Sequence, residues 1–90
     1  MNIDYLFACG EEWQRNGDPE AGGKLVEGLR SEDPGLKLVA ETILVESGSQ
    51  SMRLLQDALE NGAIELEEAG DCILEILQRA SLEEMLPRAN

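Results

Sequence analysis

Histidine is absent from the 90 residues, and there are only two cysteines, three aromatic residues and three prolines. The lack of histidine removes the usual general base and the commonest metal ligand. Cys9 and Cys72 have no partners at metal-ligand spacing. On count alone they could form a disulfide; the behaviour of cysteine in intracellular chains favours free, buried thiols. There is no Gly-rich phosphate loop and no activated nucleophile, so catalysis would have to rest on carboxylates alone. The chain therefore reads as non-enzymatic, with no cofactor and no metal. No apolar run is long enough for a membrane span, and the first residues, Met1-Asn2-Ile3-Asp4, do not open a signal peptide. A cytoplasmic location is expected. Bases are scarce as well: seven against 19 acids, for a net charge of −12. That excludes direct binding of nucleic acid or of an anionic membrane through a basic patch. It permits a protein partner with a basic surface, and it also serves solubility.

What is present is helix punctuation. Asp18-Pro19 and Asp33-Pro34 each open an apolar-periodic segment. Asp caps the free N–H groups of a helix start, and Pro fits the first helical position. Gly17 and Gly48 stand where helices end. The spacing predicts helices over 3–15, 18–30, 33–47, 49–60 and 65–79, with a short sixth over 82–86. Asn2 is the cap of the first and Ser49 of the fourth. Ser81 with Glu84 has capping-box form and opens the sixth, which Pro87 ends. Leu6 and Trp13 share a face of the first helix, which carries all three aromatic residues and is expected to cover one end of the core. Leu36, Val39, Ala40, Ile43 and Leu44 follow inward-face spacing, widened by Leu38 and Val45, so the third helix should be central. Leu66, Ala69, Cys72, Ile73, Ile76, Leu77 and Ala80 mark the fifth. Gly22 and Gly23 leave two readings open: close approach of a neighbouring helix, or a frayed first turn.

The segments repeat. Ala8, Ala40 and Cys72 are spaced by 32, and Leu25 and Leu29 fall 30 before Leu55 and Leu59. The expected architecture is one all-α domain over 1–90, built as three helix pairs at 3–30, 33–60 and 65–86. Such pairs cannot bury their apolar faces singly and so stack.

The run Gly17-Asp18-Pro19-Glu20-Ala21, a Leu-rich helix, then Ser31-Glu32-Asp33-Pro34 and an Ala-containing helix ending in Gly48 resembles the short HEAT-like repeats of the phycobilisome-lyase type. The resemblance implies a short right-handed α-solenoid of antiparallel helix pairs that acts by binding. No chromophore-handling motif accompanies it, so no catalytic residue carries over.

The strongest candidate surface is acidic. Between Leu54 and Gln78 lie Asp57, Glu60, Glu65, Glu67, Glu68, Asp71 and Glu75, with no base. Like charges on one helical face repel by a few tenths of a kcal/mol per pair, roughly, a cost that a Lys- or Arg-bearing partner would offset. An ordinary solvated face explains the same residues. Glu67, Glu68, Asp71 and Glu75 are therefore candidate partner-binding residues, with Trp13 as an aromatic anchor unless it covers the core. Asn16, Asp18, Glu20 and Glu27 faintly echo a calcium loop, but helix capping accounts for them. Cys72 has no cation nearby in sequence to activate it. The leading expectation is a small adaptor that binds another protein through the acidic fifth helix and a concave face made by helices 18–30 and 49–60. One alternative is an acidic, antitoxin-like inhibitor that masks a nucleic-acid-binding surface. The other is an accessory factor of a bilin-lyase system.

Overall fold

The computed structural model describes residues 1–85, with side chains through Leu82. Five helices make up the described residues: α1 (Ile3–Asn16), α2 (Pro19–Leu29), α3 (Pro34–Ser47), α4 (Ser49–Glu60) and α5 (Leu66–Met85). There is no strand among them. No helix there is long and apolar enough to cross a membrane.

The caps form as the residues dictate. The Asn2 side chain accepts from the Tyr5 N–H at 2.8 Å, Asp18 from the Glu20 N–H at 3.1 Å, and Asp33 from the Gly35 N–H at 2.9 Å. Each satisfies one of the donors a helix start leaves free. Gly17 closes α1 at φ 65°, and Gly48 joins α3 to α4 at φ 60°, a region L-residues rarely adopt. Ser49 is not the cap of α4. Gly48 holds that position without a side-chain bond, and Ser49 is already helical. Two other side chains anchor this end. The buried Ser51 hydroxyl donates to the Leu44 carbonyl, and the Gln50 amide donates to the Trp13 carbonyl at 2.9 Å.

The second difference lies at the other end. Ser81 opens no sixth helix; α5 runs on through it to Met85. Neither Gly nor Pro interrupts Arg79-Ala80-Ser81, and a capping box acts only where the backbone leaves the helix. Leu86 and Pro87 lie outside the described residues.

The α3 helix is central, as its pattern predicts, and touches all four others. Packing is densest among α1, α2 and α3, and thinner where α4 and α5 join. The buried cluster draws Leu6 and Trp13 from α1, Leu25 and Leu29 from α2, Ala40, Ile43 and Leu44 from α3, Leu55 and Ala58 from α4, and Ala69, Cys72 and Ile76 from α5. Ile64 joins it from the α4–α5 loop. Each Leu in it withdraws about 1.5–3 kcal/mol of apolar surface from water. Three expectations about the core fail at its edges. Tyr5 and Phe7 are exposed, so Trp13 alone of the aromatics closes the core. Leu38 and Leu77 are 64% and 50% exposed, because no helix lies over those flanks. Ala8 is exposed while Ala40 and Cys72 are buried, so the 32-residue correspondence does not extend in packing to α1.

The glycine pair is resolved by neighbours. A Cβ on Gly22 would stand 2.9 Å from Trp13 Nε1 and 3.2 Å from Leu54 Cδ1, whereas Gly23 faces open space. Close approach is the reason for the first only. Gly28 is tighter still: a Cβ there would meet Ala40 Cβ at 2.8 Å. Two other close pairs stand 33 positions apart in sequence. A Cβ on Gly10 would be 2.9 Å from Ile43 Cδ1, and the Gln14 amide donates to the Ser47 hydroxyl across 33 positions.

Candidate partner-binding surface

Helices α2 and α4 flank an open groove of about 580 Å³, lined by Lys24, Glu27, Arg30, Leu54, Asp57 and Asn61 among others. Helix α2 brings its lining residues to the groove because its opposite face, Leu25 and Leu29, is drawn into the core. The lining includes the buried Val26 of α2 and Ala58 of α4, and Leu54 of α4 comes close to Gly22 of α2. Its charge is mixed. Lys24 Nζ lies 3.5 Å from Glu27 Oε2.

Arg30, at the end of α2, is the hub between this groove and the acidic helix. Its Nε donates to both Glu68 carboxylate oxygens at 3.2 Å, and its Nη1 donates to the Ala63 carbonyl at 3.1 Å. One guanidinium thus fixes the α4–α5 loop and the start of α5 against α2. The same loop is turned by the Asn61 side chain, which accepts from the Ala63 N–H at 3.0 Å. Glu68 also accepts from the Glu65 N–H at 3.0 Å and so caps its own helix. That backbone bond is the main reason the Glu68 carboxyl sits below its ordinary value. Partial desolvation opposes it, and Arg30 and then Lys37 add to it.

The four acidic candidates therefore divide. Glu68 is committed to Arg30 and to capping. Glu67, Asp71 and Glu75 are exposed and form no ion pair with the described side chains. Their steps of four place successive carboxylates about 6 Å apart along α5. Trp13 is 3% exposed and packs against Gly22, so it is a core residue and not a surface anchor.

Cys9 and Cys72 are both free and buried. Burial pushes the Cys72 thiol up to about 12, and the carboxylates of Glu41 and Glu75 add to the rise. A thiol so placed is protonated at neutral pH and is no nucleophile. Asp18, the centre of the faint calcium-loop pattern, spends its carboxylate on the cap of α2. Among the described residues no group of three or more His, Cys, Asp or Glu side chains is disposed to hold a metal.

Arg30, Gln50 and Ser51 do not stand out from sequence. The partners of Arg30 and Gln50 are 33 to 38 positions away. The one local signal for Arg30 is its place, a base at the end of a helix, where it favours the carbonyl terminus.

The chain matches no family model, no curated protein and no solved structure.

Proposed function

We infer that the chain is a non-catalytic, HEAT-like protein-binding module, a short α-solenoid of antiparallel helix pairs that receives a partner protein in the groove between α2 and α4. The groove carries the reading. It is open, it is lined by both charged and apolar groups, and it lies between the two helices that a stacked-pair arrangement would align on one face. The near-repeat contacts support the stacking: Gly10 with Ile43, Gln14 with Ser47, and Gly22 with Leu54. So does the place of α3, which touches all four other helices. The acidic row of α5 extends the contact surface towards a partner with Lys or Arg side chains.

The test is affinity capture from the native host with the wild-type chain and with two folded variants. One carries Lys24→Glu and Asp57→Lys in the groove; the other carries Glu67→Lys, Asp71→Lys and Glu75→Lys. A protein retained by the wild type and lost with the groove variant supports the module. The same proteins retained by all three chains, or none by any, would overturn it. A second reading, masking of a basic nucleic-acid-binding surface, draws on the unpaired carboxylates of α5. It is favoured if the captured protein itself binds DNA or RNA and is lost with the α5 variant.

A further inference from the structure

Helix α5 carries two apolar stripes; among the described residues one is covered, and the other is left largely open, with only Ile73 packed in part against the core. Ala69, Cys72 and Ile76 face inward and are buried. Leu66, Gly70, Ile73, Leu77 and Ala80 recur in steps of four and three, the spacing that lines up one seam of a helix able to pair with another. Leu66 is 67% and Leu77 50% exposed; Ala80 is exposed, and Gly70 and Ile73 are half-buried. Nothing lies within 4 Å of the place a Cβ on Gly70 would take, which leaves a notch between the leucines. The seam runs about 21 Å, four turns of helix. Leu74, 54% exposed, widens it on the solvent side, where Glu67 and Asp71 form the rim.

Charge selects the occupant. Two apolar surfaces that a second copy of this chain would offer are the same seam, rimmed by Glu67 and Asp71, and the exposed edge of α1 at Ile3 and Phe7, whose helical neighbours are Asp4 and Glu11. Both set carboxylates against carboxylates, which disfavours the pairing. With 19 acids and seven bases, the chain has few cations to supply from elsewhere. A helix with an apolar seam and a basic rim satisfies both halves of the surface.

We propose that the outer seam of α5 seats a basic amphipathic helix of a partner protein, with a leucine-class side chain in the notch over Gly70 and Lys or Arg side chains against Glu67 and Asp71. The proposal rests on the reading of the chain as a protein-binding module and adds a surface separate from the α2–α4 groove.

The experiment titrates the full chain against a labelled synthetic helix bearing leucines in steps of four and three and lysines beside them, followed by fluorescence anisotropy. Micromolar binding is expected. Leu77→Glu, Gly70→Leu and the pair Glu67→Lys with Asp71→Lys each weaken it at least tenfold, as does glutamate in place of the peptide lysines. All these positions face solvent at least in part, so circular dichroism should report unchanged helicity. Lysine and glutamate peptides binding alike would overturn the proposal. So would a chain that dimerises in sedimentation and returns to monomer with Leu77→Glu, or one that binds the peptide only after residues 86–90 are removed. No peptide binding beside intact, groove-dependent capture overturns the seam and leaves the module standing.

Discussion

Gly23 and Gly28 lie in the same helix, and replacing each by alanine should change stability in opposite directions. In a helix interior, Gly→Ala gains about 1 kcal/mol from backbone entropy and solvation. At Gly23 nothing lies within 4 Å of the new methyl, so the whole gain is kept. At Gly28 the methyl would stand 2.8 Å from Ala40 Cβ and 3.1 Å from Leu6 Cδ2. Carbon atoms rest at about 3.5–4.0 Å, so α2 and α3 must part by about 1 Å along their closest contact. Overpacking of that kind costs about 1–3 kcal/mol. The gain offsets part of this and leaves a net loss of about 1 kcal/mol. The two variants should thus differ by about 2 kcal/mol, or roughly 10 °C in Tm for a domain of this size. Ala40→Gly removes the atom that the Gly28 methyl meets. The double variant Gly28→Ala with Ala40→Gly should therefore be more stable than the sum of the singles, by about 0.5–3 kcal/mol. Thermal melts followed by circular dichroism at 222 nm read all four chains. Equal rises in Tm for Gly23→Ala and Gly28→Ala, or strict additivity in the cycle, would refute the close approach of α2 to α3.

Arg30→Ala should lower stability only modestly, since the pair with Glu68 is exposed and screened, and the part of the loss due to that pair should shrink in high salt. The pH dependence has a defined sign: Glu68 is depressed from an ordinary 4.5, so its contribution is present above that value and fades as pH falls through the lower folded one. Melts between pH 7 and pH 3 should show a shallower acid loss in Glu68→Gln. Cys72 should resist iodoacetamide at pH 7.5 at least tenfold more than in the urea-unfolded chain; rapid labelling of the folded protein would contradict its burial. Trp13→Ala should cost about 3–5 kcal/mol, and the wild-type indole should be poorly quenched by iodide. On the proposed reading, bilin mixed with the purified chain should leave the pigment's absorbance spectrum unchanged.

The local signals were the legible ones. Asn2, Asp18 and Asp33 cap where they stand because a cap depends on the next three residues only. The central place of α3 follows from its own apolar stripe. Periodicity tells which face of a helix is apolar, but not how much of it a neighbour covers. Hence Leu38 and Leu77 extend their stripes and remain in solvent, and Phe7 does not close the core. Ser49 and Ser81 have the chemistry of caps, yet a cap requires a break, and the break falls at Gly48 in one case and nowhere among the described residues in the other. Gly22 and Gly23 are the same residue to any local rule; Trp13 and Leu54 separate them. The candidate surface divides in the same way. The acids of α5 could be named from the chain, but the withdrawal of Glu68 by a base 38 positions upstream could not.

The uneven packing has a consequence for hydrogen exchange. Helices α1, α2 and α3 hold one another most extensively, while α4 and α5 rest on fewer contacts and α4 starts from an uncapped glycine. Local opening is cheapest where apolar contacts are fewest, so the amides of α4 and α5 should exchange ahead of those in the first three helices. One wall of the groove and the whole outer seam belong to that faster half. A partner seated on either surface would then act as a brake on partial unfolding. At 100 times its dissociation constant it would add about 2.7 kcal/mol to the protection of amides that open only by releasing it. Recognition and the folding of the second half of the chain would be read in the same exchange experiment.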